Sequence, residues 1–137
     1  MSYSNKDKYF PCGAGSAGAL GALDISDASA TIEFSWIPAI DCVIYGFGGL
    51  CTEATGTQTT TAGVVSMNVA TVESSSVTAG VSKAIGTEIF DTTMVPIKVA
   101  AGTTVDFLVK TQAVGGTIVG EYAPFIFVEF FPALAGA

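Results

Sequence analysis

The stretch VPIKVAAGTTVDFLVKTQ, residues 95–112, decides the fold class. Val95, Ile97 and Val99 alternate with other residues, Ala100-Ala101-Gly102-Thr103 interrupts, and Val105, Phe107 and Val109 resume the alternation. A period of two sends successive side chains to opposite faces, so the segment reads as strand, turn, strand, each with one face toward a core. Gly102 suits the turn because glycine takes a positive φ without steric cost. Pro96 lacks an amide hydrogen, which places the first strand at an edge or leaves it partly paired. A β-hairpin is expected.

The same pattern extends along the chain. TIEFSWI (31–37) puts Ile32, Phe34 and Trp36 on one face and Glu33 and Ser35 on the other, as in a half-buried antiparallel strand that Pro38 then ends. In CVIYGFGGLC (42–51), Gly46, Gly48 and Gly49 mark a bulge or a close backbone approach. A threonine-rich loop spans Thr52–Gly63, VVSMNVATVE (64–73) reads as a strand, SSSVTAG (74–80) as a loop and VSKAIGTEIF (81–90) as an extended piece. After a Gly115-Gly116 turn, the last strand runs from Thr117 to about Phe131. No segment carries a sustained helical period, and turn signals at short intervals point to an all-β antiparallel sandwich or barrel over residues 29–137. Residues 1–28 show neither period and are expected to be an irregular, small-residue-rich N-terminal arm. Such an arm is either disordered or lies extended along its own or a neighbouring domain, with Tyr9, Phe10, Leu20 and Leu23 as anchors.

Composition narrows function. The 137 residues fit one domain, charged residues make up 12 %, net charge is −7, and there is no histidine. About a fifth of the residues are Ser or Thr, so water is met by hydroxyls and backbone rather than charge. So few charges on an apolar chain argue that another chain covers part of its surface. The five basic residues, Lys6, Lys8, Lys83, Lys98 and Lys110, are scattered, which disfavours a nucleic-acid partner. Gly, Pro, Asp or Glu breaks every apolar stretch short of a membrane-spanning helix, so no membrane partner is expected. The Ala/Gly-rich segment 14–23 reads as part of the mature protein rather than a signal peptide, because Pro11 and the glycines spoil an apolar core. Cys12, Cys42 and Cys51 are odd in number and lack zinc spacing; reduced, partly buried thiols are expected, with a Cys42–Cys51 bridge conceivable if the intervening glycines turn.

The last strand departs from the others. In PFIFVEFFP (124–132), Phe125, Phe127 and Phe131 share one face while Ile126, Val128 and Phe130 share the other, with Glu129 as the sole charge. A strand apolar on both sides must be covered on both. Either the arm or a loop of the same chain covers the second face, or these six residues form a subunit interface in a symmetric homo-oligomer.

Catalytic patterns are mostly absent. Without histidine there is no Ser-His-Asp or Cys-His arrangement, and no glycine-rich phosphate loop precedes a helix. IFDTTMV (89–95) resembles the apolar-Asp-Thr-Gly signature of aspartic proteases, which would make Asp91 half of a shared-proton pair, but Thr93 stands where that loop needs glycine. Asp24 and Asp27 in DISD lack the alternating oxygen ligands of a calcium loop and read as turn residues. No cofactor or metal is expected.

VPIKVAAGTTVDFLVKT (95–111) resembles a phrase that recurs in small jelly-roll or β-sandwich structural proteins of tailed bacteriophages, including head decoration (cement) proteins and fibre domains. The resemblance implies a jelly-roll-like sandwich, a non-enzymatic homotrimer that stabilises the head by bridging neighbouring subunits of the major capsid protein or another virion protein, and a location in the virion after assembly in the host cytoplasm. The alternatives are a recognition module, such as a fibre tip or carbohydrate-binding sandwich, and, more remotely, an enzyme using Asp91.

Overall fold

The structure, a computed structural model, describes residues 7–13 and 22–131. Ten strands follow in chain order: β1 (Asp7–Tyr9), β2 (Leu23–Asp24), β3 (Thr31–Trp36), β4 (Asp41–Glu53), β5 (Val64–Val69), β6 (Val72–Thr78), β7 (Glu88–Phe90), β8 (Ile97–Val99), β9 (Val105–Thr111) and β10 (Glu121–Phe131). Every pairing is antiparallel, and the described residues contain no helix. The chain is an all-β sandwich of two sheets.

One sheet runs β1-β10-β4-β7, with β2 sharing the β1 edge of β10 and β8 sharing the β7 edge of β4. The other runs β3-β9-β5-β6. Between them lies the core. The first sheet contributes Ile44, Phe47, Tyr122, Ile126 and Val128, and the second contributes Val65, Met67, Val105, Phe107 and Val109, all at most 1 % exposed. Phe47 and Phe107 meet across the gap as stacked rings 6.1 Å apart. Removing any one of these large side chains would leave a cavity costing about 2–5 kcal/mol.

The decisive stretch forms two strands, but they do not pair with each other. β8 adds to β4 in the first sheet and β9 lies between β3 and β5 in the second, so residues 100–104 bridge the sheets. The Gly102 amide donates to Pro38 O at 3.0 Å and the Ala101 amide to Asp41 Oδ1 at 2.9 Å, tying this bridge to the β3–β4 connection. Alternation reports that a strand has a buried face, and both do; it carries no information about which neighbour completes the ladder.

Two further expectations change. Residues 64–73 are not one strand: the chain reverses at Ala70 and Thr71, with φ of 49° and 69°, and returns as β6 through the stretch expected to be a loop. Positive φ at both central positions defines a two-residue hairpin turn that normally uses Asn-Gly, so Ala-Thr gave no signal. Of residues 81–90, only Glu88–Phe90 is a strand.

The N-terminal segment is not uniformly irregular. β1 pairs with Ile126–Val128 and β2 with Glu121–Tyr122, while Leu23 and Ile25 are fully buried. Parts of residues 1–28 therefore belong to the sandwich, because they complete the edge of β10. Leu20 lies outside the described residues.

Candidate interaction surface

β10 is apolar on both faces, and its alternation sorts its side chains cleanly. Tyr122, Ile126, Val128 and Phe130 turn toward the core. Phe125, Phe127, Glu129 and Phe131 turn to the outer face of the first sheet. Ile126 and Val128 are 0 % and 1 % exposed, so they serve the core and are withdrawn from any surface; Phe130 packs against the same core. Phe125 faces outward but is itself 0 % exposed, so the expected six-residue interface narrows to Phe127 and Phe131.

The outer face is aromatic because β4 is bare beneath it. Phe125 stands opposite Gly48 and Phe127 opposite Gly46, where no side chain competes for the space over the sheet. A Cβ on Gly48 would lie 2.6 Å from Phe125 Cζ and would also strike Ile89 O. The expected close approach at these glycines is an aromatic ring lying over backbone. A register shift between Phe127 and Val128 inserts an extra β4 residue, and Tyr45 there donates its hydroxyl to Glu129 Oε1 at 3.1 Å.

Short strands bring two more rings to this face. Phe90 of β7 sits 6.3 Å from Phe125 and 5.9 Å from Phe127, Phe125 and Phe127 are 5.7 Å apart, and Phe10 closes on Phe125 at 5.8 Å. Lys8 of β1 places Nζ 4.4 Å over the Phe125 ring and continues to Glu88 of β7 as an ion pair. An exposed pair of this kind contributes little on its own. Its effect is to span β10 and β4 from one edge of the sheet to the other, so that Phe125 is 0 % exposed.

The covering is incomplete. Phe90 remains 38 % exposed and Phe131 46 % exposed, and Phe127, Val43, Tyr45 and Leu50 are half-buried. Beside Phe131 an open groove of about 430 Å³, lined by Asp41, Val43, Lys98 and Ala100, extends the same face toward the start of β4. Phe10 acts as an anchor on the outer face. Tyr9 anchors at the sandwich edge, 5.6 Å from Trp36 and 5.8 Å from Phe130, and Leu23 anchors in the core. Phe90 and Lys8 escaped sequence reasoning, since nothing in a three-residue strand announces its partner.

Groups with chemical potential elsewhere are committed to structure. Asp91 accepts hydrogen bonds from the Thr93 amide at 2.8 Å, the Thr93 hydroxyl at 2.7 Å and the Ser75 hydroxyl at 2.7 Å. Burial alone would raise its carboxyl, but these donors outweigh burial and hold it below the usual range. Asp24 Oδ1 accepts from the Ser26 amide and hydroxyl at 2.9 and 2.6 Å, a turn closed by its own side chain. Glu33 is the β3 residue skipped by a register shift against β9; burial, then a hydrogen bond with Asp27, then the charges of Asp27, Asp24 and Glu121 push its carboxyl up to about 8. Among the described residues no group of three His, Cys, Asp or Glu is placed to hold a metal.

All three cysteines are free thiols. Cys42 and Cys51 lie nine positions apart on the unbroken strand β4, roughly 30 Å at strand rise, so the glycines between them do not turn and no bridge can form. No helix of the described residues is long and apolar enough to cross a membrane.

No family model, curated protein or solved structure matches this chain.

Proposed function

We propose that the protein is a non-enzymatic structural component of a virus particle, a homotrimeric head decoration protein of the tailed-phage kind, which assembles through the outer face of its first sheet and bridges capsid subunits. The observation that carries this reading is that Phe90, Phe127 and Phe131 stay partly exposed around the covered Phe125, an apolar surface on a sheet whose other surface already builds the core. A solvated sheet face is ordinarily polar, and each Phe left in water forgoes about 1.5–3 kcal/mol of burial.

The strand order supports the same reading. Counting β1 with β2 and β7 with β8 as single edge columns gives two four-column sheets in which the first column neighbours the last strand and β3 neighbours β9. A jelly roll, a common shell-building sandwich, interleaves its strands in this manner, which supports that reading. The charges on this face are few, and Lys8 and Glu88 neutralise each other across it, so a second copy meets no large field there. On a lattice, three weak footholds of a trimer act together because the second and third are intramolecular.

The test is mass and particle binding. Light scattering of the purified chain is expected to give three times its 13.9 kDa. Phe127→Glu and Phe90→Glu are expected to reduce that to one chain with the fold intact, and the trimer is expected to sediment with phage heads and raise their melting temperature. A monomeric wild-type chain without affinity for heads would overturn the reading.

A further inference from the structure

The seat of β1 is built entirely by other parts of the sandwich. Asp7, Lys8 and Tyr9 pair with Val128, Phe127 and Ile126. Tyr9 rests on Trp36 and Phe130, Phe10 rests on Phe125, and Lys8 reaches Glu88. Every one of these partners belongs to residues 36–130. A β1 arriving from a second copy would meet the same groups in the same register, so the exchange is close to neutral in contact energy.

Three observations favour an arm that is shared. First, all three β1 residues are exposed, while Phe125 beneath is completely buried, so the segment acts as a cover with little burial of its own. Second, β1 and β2 sit apart on the same edge of β10: residues 123–125 pair with β4 but with neither of them, so β1 is an isolated piece and does not continue from β2. Third, the cover lies on the aromatic face through which self-association is proposed, which places β1 at the boundary between copies. The eight residues 14–21, AGSAGALG, lie outside the described residues, and a chain of that length reaches at most roughly 30 Å.

We propose that β1 is exchanged between copies of this chain, so that Asp7–Phe10 of one subunit occupies the edge of β10 in its neighbour and Lys8 of one subunit pairs with Glu88 of another. This rests on the self-association proposed above. Exchange converts a surface contact between aromatic faces into a closed ring in which each subunit's Phe125 is sealed by the next.

The native ion pair supplies the probe. Equal amounts of unlabelled and ¹⁵N-labelled full-length protein are unfolded together, refolded, and treated with a zero-length carbodiimide coupler that joins Lys8 to Glu88. Peptide mass spectrometry then reads the labels on the two halves of the linked product. Mixed-label pairs in statistical proportion are expected. Same-label pairs only, in a sample that light scattering shows to be oligomeric, would overturn the exchange and leave the self-association standing. A monomeric sample would overturn both, and no Lys8–Glu88 product at all would overturn the seat itself. As a second measurement, Asp7→Cys with Val128→Cys, in a Cys12→Ala background, joins a directly opposed pair whose β10 member lies off the aromatic outer face. On a non-reducing gel, covalent oligomers are expected, and a covalently closed monomer would overturn the exchange.

Discussion

Gly48 and Phe125 face each other across two strands, and the ring of one occupies the space where the other would carry a side chain. The outer aromatic layer depends on that vacancy.

Gly48→Ala is therefore expected to destabilise the fold by about 1–3 kcal/mol, the usual cost of overpacking. The added methyl would meet Phe125 Cζ at 2.6 Å and also the backbone oxygen of Ile89, which cannot swing away. Urea unfolding of the variant checks this, and Phe125→Leu in the same chain is expected to recover part of the loss by freeing the ring's space. An unchanged midpoint for Gly48→Ala would remove the stated reason for glycine there.

Glu33 makes stability depend on pH. Its carboxyl is pushed from the usual 4.5 up to about 8, so the folded chain holds a proton that the unfolded chain releases. A raised carboxyl favours the folded state below the unfolded value and loses that contribution as pH climbs through the folded one. The urea midpoint is expected to fall between about pH 5 and about pH 8, and Glu33→Gln is expected to flatten that slope and to be the more stable protein at the alkaline end. A variant with the wild-type slope would contradict this account.

Asp91 is a tether. Asp91→Asn weakens the bonds from Thr93 and Ser75 that hold the β7–β8 connection over β6, with an expected loss of about 1–2 kcal/mol. Because its carboxyl is held below the usual 3.8, that contribution is present above 3.8 and is lost as pH falls further, through the lower value of the folded chain. The subunit count by light scattering is expected to stay unchanged, whereas a shared-proton pair between subunits would make the variant dissociate.

The thiols are expected to be sluggish. Burial pushes Cys12 up to about 12 and raises Cys42 and Cys51, the last two lying inside the core cluster. A thiolate is the reactive form, so a disulfide reagent at neutral pH should label the native protein far more slowly than the denatured one, where all three respond. Rapid labelling of Cys42 or Cys51 in native buffer would show that β4 opens.

The sequence made the class of fold legible and the pairing of strands much less so. Val105, Phe107 and Val109 announced a strand with one buried face, and all three are buried. The same pattern could not say that β8 and β9 part company into different sheets, since alternation is local and ladder partners are not. The two-sided apolar character of β10 was likewise plain, and covering by the arm with Phe10 as an anchor was one of its two readings, yet the parts played by Lys8 and Phe90 were hidden, because β1 and β7 are three residues each and sit 80 positions apart in sequence at Lys8 and Glu88. Ala70 and Thr71 concealed a reversal behind residues that elsewhere extend strands.

That reversal has an engineering consequence. Left-handed backbone costs an L-residue about 1–2 kcal/mol, and here a methyl and a branched hydroxyl occupy consecutive left-handed positions at the tip of β5 and β6. The corner is loaded like a spring against its own hairpin. Ala70→Asn with Thr71→Gly would unload it, a way to gain heat resistance without touching either sheet face.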